Sequence, residues 1–439
     1  MPIFGQPSQS KYNYLKNNNF SDKSLLLAVL AASVAISAGN AYGKGGFANT
    51  QRSLSTRVNP AYEPQGLRAG DYILHSSITN GLVYNDNIYA TEQDRKHDWL
   101  YRVNPEFSVR SDFIRHQFDA GFSFERGLYR DISEENYSDY TGFLNGRIDL
   151  TGQTNIPLTL SYTRQHVRRG APDERRALSP TFYQLWDGTM GLVHEGQRLA
   201  LKVIAGLKRM IFDNTVGSLG TIDNGDRDRS EYTLNTTFGF SPDMVFAPFL
   251  YSNLLMVDYD RAFDNNGLNR DSTQYEAGVG TIVNFSDITS ATFTIGRLHR
   301  SPDDPTLDDI NDFTYGVDLK WEPSTLATFR LSGDRSVQES TLPGVSNSVS
   351  SSLRLAMDYE LFPNLIVSPS AGISEKDYKG TAGGRSVTKD GELKFSYKMN
   401  QNLWIDASYQ YTKQKEKEAA PDLESYKNNI YGVSLKLQF

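Results

Sequence analysis

The densest cluster of groups able to do chemistry is basic: Arg164, His166, Arg168 and Arg169 lead into Arg175 and Arg176, with Asp173 and Glu174 between them. The planar Arg fork grips carboxylate or phosphate at two points. Arg164, Arg168, Arg169, Arg175 and Arg176 are therefore candidates for an anionic ligand, either lipopolysaccharide phosphate or an acidic polysaccharide. The alternative is a solvated loop whose arginines pair with its own carboxylates. Acidic stretches also occur, at Asp303, Asp304, Asp308, Asp309 and Asp312 and at Asp223, Asp226 and Asp228. Oxygen ligands suit Ca²⁺, but the spacing matches no EF-hand loop, so no metal is expected.

Covalent catalysis has little to work with. Neither G-x-S-x-G nor H-E-x-x-H occurs, and the chain has no Cys. The six histidines, His75, His97, His116, His166, His194 and His299, are scattered. Only a Ser–His pairing across strands, around His116 or His299, would leave room for a hydrolase. The expectation is a protein that is not an enzyme and carries no cofactor.

A second set of charges alternates with apolar residues. Arg102, Glu106, Arg110, Asp119, Arg147, Asp149, Lys202, Asp258, Glu276, Asp318, Lys320, Arg330, Arg354, Asp358, Glu392, Lys394, Asp406 and Lys436 lie on segments of period two. Between Tyr426 and Phe439, Tyr431, Val433, Leu435, Leu437 and Phe439 interleave with Gly432, Ser434, Lys436 and Gln438. Leu403, Ile405, Ala407, Tyr409 and Tyr411 flank Asp406, Ser408 and Gln410, and Phe313 to Trp321 and Leu353 to Tyr359 repeat the pattern. Successive strand residues point to opposite faces. An Arg or Lys turned toward hydrocarbon costs up to about 2 to 4 kcal/mol at the midplane, so the apolar set faces lipid and the charges face a lumen. Because the lining mixes signs, cross-strand pairing that hydrates the wall competes with a role in selectivity.

The connections alternate short and long, as periplasmic turns and external loops do. The short ones include 151–157, 195–198, 241–246 and 398–402, and the long ones 85–98, 169–179, 213–229 and 376–384. The pattern predicts an all-β fold, a transmembrane antiparallel up-and-down β-barrel of about 18 strands over residues 71–439. Strands near the length a tilted span needs, with Tyr359, Phe362, Tyr397, Trp404 and Tyr411 as an interfacial girdle, favour this over a soluble sandwich. The lengths of the loops suggest a mouth without a deep constriction.

At the N-terminus Lys16 and Lys23 precede the apolar run Ser24 to Ala38, followed by small residues Gly39 and Ala41. That predicts a signal peptide over 1–41 and an irregular periplasmic extension or plug over 42–70. Mean hydropathy of −0.50 agrees with strands half of whose residues meet water. A net charge of −7 argues against nucleic acid as a partner.

The stretches YEPQGLRAGDYILHSSI (Tyr62 to Ile78), VYNDNIYAT (Val83 to Thr91), NPEFSVRSDFIRHQFDAG (Asn104 to Gly121) and RGAPDERRALSPTFY (Arg169 to Tyr183) resemble a family of outer-membrane β-barrel porins. Members are commonly encoded in exopolysaccharide or capsule loci of Gram-negative bacteria. The resemblance implies a channel for export of a surface polysaccharide, with a periplasmic export partner. General diffusion of small hydrophilic solutes, or a structural or adhesive surface role, are the alternatives. The remaining expected partners are outer-membrane lipids with lipopolysaccharide, and the barrel-assembly machinery, engaged through the strand ending at Phe439.

Overall fold

The computed structural model describes residues 61–439 except 172–173, 175–176, 219, 341, 343, 381–382 and 419–423. The expected signal peptide and most of the extension lie outside the described residues. So do Asp173, Arg175 and Arg176.

Eighteen antiparallel strands form a closed barrel. They are β1 (Tyr72–Asn85), β2 (Asp98–Ser111), β3 (Gln117–Tyr129), β4 (Tyr137–Asp149), β5 (Thr154–His166) and β6 (Phe182–Glu195). Next come β7 (Leu199–Phe212), β8 (Arg229–Phe240), β9 (Phe246–Tyr259), β10 (Ser272–Ser286), β11 (Thr289–Pro302) and β12 (Ile310–Ser324). The last six are β13 (Ala327–Glu339), β14 (Asn347–Phe362), β15 (Leu365–Lys379), β16 (Gly384–Lys398), β17 (Leu403–Glu418) and β18 (Tyr426–Gln438).

Each strand pairs with its neighbours in sequence, and β18 closes on β1 from Ser77 opposite Gln438 to Asn85 opposite Ile430. At the seam Phe439 N–H donates to the Ser76 carbonyl at 2.8 Å, and Ser76 N–H returns a bond of 3.1 Å. Closure removes the unpaired edges that an open sheet would present, which a membrane cannot tolerate. Strands about 4.8 Å apart and tilted about 40° enclose, at this strand number, a cylinder of roughly 18 Å backbone radius.

The two faces differ as the alternation requires. Leu250, Ile295, Leu355 and Val433 are more than half exposed on the outer face, each between inward-facing neighbours. Bulky rings sit near both ends of the outer wall: Phe246, Phe285, Trp321 and Tyr397 at the short-turn end, Trp99, Tyr101, Trp186, Tyr275, Phe313 and Tyr431 toward the long loops. Such belts mark the two membrane interfaces.

Two residues depart from the expectation. Asp258 lies opposite Ser230 on the face of the exposed Leu250, so it points outward near the loop end and does not line the lumen. Trp404 lies opposite Lys436 on the inner face and is no part of the girdle. The connection expected over 376–384 is also shorter, because β15 continues to Lys379 and β16 starts at Gly384.

Candidate functional site: the lumen wall and its two mouths

Strand register gathers the expected inner charges into local pairs. Arg110 meets Asp119 at 3.1 Å, Arg147 meets Asp149 at 2.9 Å, and Lys394 meets Asp406 at 3.4 Å. Across the β1–β18 seam, Lys436 reaches Glu106 at 3.5 Å, and Ser77 Oγ donates to the same carboxylate. Lys320 pairs with Glu322 at 2.9 Å.

Arg354 reaches Asp390 over the intervening β15, where Gly372 leaves the space open. A Cβ at Gly372 would lie 2.7 Å from the Asp390 carboxylate and 2.9 Å from the Arg354 guanidinium. Other inner acids take polar neighbours: Glu392 accepts from Gln410, Asp358 from Ser368, and Glu276 from Tyr251 and Thr314.

Arg102, Arg330 and Asp318 have no partner of opposite charge within ion-pair distance among the described residues, and Lys202 faces inward on β7 opposite Thr237. Sequence reasoning missed a further inner network on β7, β8 and β11. Glu231 holds both Lys208, at 3.4 Å, and Arg229, at 2.9 Å. Arg300 reaches Glu339 at the end of β13 and donates to Ser272 Oγ. Its signal was available in the alternation, since Arg229 and Glu231 share one face of β8.

The described members of the basic cluster, Arg164, Arg168 and Arg169, do not converge. Arg164 faces outward on β5, bonds Asp213 at 2.9 Å, and lies 4.4 Å from the Phe182 ring centre. Arg169 turns under its loop to Glu135 and the Ala177 carbonyl. Burial opposes its charge, but the Glu135 carboxylate outweighs that and raises its pKa. Glu174 is fully buried, accepts Thr181 N–H at 2.6 Å, and has its pKa raised by burial. Arg168 remains exposed.

The acidic loops are likewise bound internally. Asp223 grips Arg261 at 2.8 Å, and that bond lowers its pKa. Asp304 accepts the N–H groups of Thr306 and Asn269. Among the described residues no group of three or more acidic or histidine side chains is placed to hold a metal. His116 and Asp149 exchange backbone and side-chain bonds at a short turn, while His299 faces outward and bonds Asn311.

At the long-loop end the connections brace one another. Arg270, with its side chain 3% exposed, donates to the carbonyls of Ser340, Leu342 and Val345 in the β13–β14 loop and pairs with Asp264 at 2.8 Å. Asn269 joins this loop to Asp304 of the next. The long loops from β9 to β14 thus form one braced unit at the mouth.

At the short-turn end the described part of the N-terminal extension lies against the inner wall. Trp404 Nε1 donates to the Tyr62 carbonyl at 3.0 Å, and Glu63 pairs with Lys398 at 2.7 Å. Lys398 also stands 4.2 Å from the Trp404 ring centre.

A family model described as "Putative beta-barrel porin 2" matches residues 59–439. Among curated proteins none matches the chain. Among solved structures the chain is similar to the outer membrane protein opdK from Pseudomonas aeruginosa, with 13% identity, 83% of this chain and 99% of that one covered, and a TM-score of 0.44. OpdL from the same species gives 12%, 84%, 100% and 0.45. OccAB3 from Acinetobacter baumannii gives 11%, 84%, 100% and 0.43.

Proposed function

The chain belongs to this family of β-barrel porins and resides in the outer membrane of a Gram-negative bacterium, and from that premise we propose that it is a passive diffusion channel for small hydrophilic solutes. The observation that carries the reading is the local pairing of opposite charges over most of the inner wall of an 18-strand cylinder. Barrels of this size leave an aqueous passage. A wall neutralised pair by pair hydrates solutes without concentrating one sign of charge.

The unpaired Arg102 and Arg330, with Asp318, supply what weak selectivity there is, and the braced loops set the entrance. Export of a surface polysaccharide, implied by the family resemblance, has less support: a track for an acidic polymer gains from one-signed basic lining, and this wall alternates.

Liposome swelling with the purified protein tests the reading. Neutral sugars should enter at rates that fall with size, and anions and cations of equal size should differ by less than about tenfold, the lower end of what a one-signed cleft produces. Absence of swelling would overturn the proposal. Loss of surface polymer in a deletion strain, with solute uptake unchanged, would select export.

A further inference from the structure

On the outer wall near the long-loop end, register places Lys389 of β16 directly opposite Lys413 of β17, and Lys413 directly opposite Lys427 of β18. The three lysines form one row across three strands, about 10 Å wide at ordinary strand spacing. They share the face of Phe395, Tyr409 and Tyr431 and stand just beyond those tyrosines toward the outside. Like charges directly opposite in a sheet destabilise it.

Among the described residues no carboxylate pairs with them, although acids are close by. Glu375 is taken by Arg385, and Asp377 by Lys379. Asp86, beside β18, accepts both the backbone N–H and the side-chain amide of Asn429.

The row lies where hydrocarbon gives way to headgroups in the outer leaflet, and it faces the lipid. The groups available to it on that side are those of the membrane. We infer that Lys389, Lys413 and Lys427 bind the phosphate groups of a phosphorylated glycolipid of the outer leaflet, of which lipopolysaccharide is the type. A phosphate monoester carries between one and two negative charges and strong acceptor oxygens, which suits three cations in a row. The Tyr409 and Tyr431 rings, 5.0 Å apart, floor the site beside the acyl chains. This rests on the membrane placement of the barrel and not on which solute crosses it.

Native mass spectrometry of the full-length protein in detergent tests it, with bis-phosphorylated lipid A and its enzymatically dephosphorylated form as probes. Near an anionic leaflet each lysine contributes roughly a factor of five, so the triple Lys389→Gln, Lys413→Gln, Lys427→Gln variant should bind phosphorylated lipid about 100-fold more weakly. The triple Lys-to-Arg variant should retain binding. Bilayer conductance of the Gln variant, measured without lipid A, should equal that of the wild type and shows the barrel intact. Equal binding of the two lipid forms by the wild type, or a Gln variant within threefold of it, would overturn the inference.

Discussion

Arg270 is the pin that holds the external loops together, and replacing it by Met gives the clearest energetic prediction. Asp264 and Arg270 side chains are 1% and 3% exposed, so the substitution strands a buried carboxylate and withdraws donors from three carbonyls. Breaking a buried pair from one side typically costs about 3 to 5 kcal/mol. Asp264 keeps the N–H groups of Leu268, at 2.9 Å, and Asn266, at 2.8 Å, which places the cost near the lower end, about 3 kcal/mol. That is roughly a hundredfold rise in the open population of the loops.

Hydrogen exchange of amides in 260–271 and 340–346 should therefore speed up about 100-fold, with the strand amides unchanged. Adding Asp264→Asn should recover part of the protection, since removing both partners leaves no stranded charge. Burial works against the charged form of Asp264, but the Leu268 amide, the Arg270 guanidinium and the Asn266 amide outweigh it and lower its pKa. A depressed folded pKa stabilises above the unfolded value, about 3.9, and that contribution is lost as pH falls through the folded pKa. Wild-type protection should thus hold down to about pH 4 and decay below it. Exchange that changes less than threefold in Arg270→Met would refute the reasoning.

Three further outcomes follow from the inner wall. Glu63→Gln removes the carboxylate from Lys398, and at about 1.5 to 3 kcal/mol for a charged hydrogen bond it should increase proteolysis of residues 61–70 in periplasm-facing preparations by at least tenfold. Arg330→Gln should shift the reversal potential of single channels toward cations at 0.1 M salt, where the Debye length is about 10 Å, and leave it unchanged at 1 M, where it is about 3 Å. Gly372→Ala should displace the far ends of Arg354 and Asp390 without breaking the sheet. A double-mutant cycle between those two residues, worth roughly 0.2 to 1 kcal/mol in the wild type for so exposed a pair, should then fall to zero.

The barrel was legible because period-two alternation is a local property that lipid enforces on every strand. Tyr431 to Phe439 already carry it, and the strand number follows from the connections between such runs. What alternation conveys less well is the behaviour of strand ends. Trp404 has the composition of an interface residue, but register turns it inward beneath Tyr62, a contact 342 positions away in the chain. Asp258 reads as lumenal by its charge, yet near the headgroups an outward acid has water and Arg209 within its surroundings.

The arginine run from Arg164 to Arg176 shows a second limit. Spacing showed a high density of guanidinium groups, whereas their partners Asp213 and Glu135 come from other loops and are invisible to local reading. The lysine row is the converse case. Lys389, Lys413 and Lys427 are far apart in sequence, and only the pairing of three strands reveals them as one patch.

Because the chain contains no Cys, single cysteines report the two faces without background. Cysteines placed in turn at Ile405, Asp406, Ala407 and Ser408 of β17, and probed in intact outer membranes with a water-soluble maleimide, test the division between lipid and lumen directly. Labelling at 406 and 408 with none at 405 and 407 is the predicted result. Uniform labelling, or labelling at 405 and 407 instead, would contradict a membrane-spanning channel.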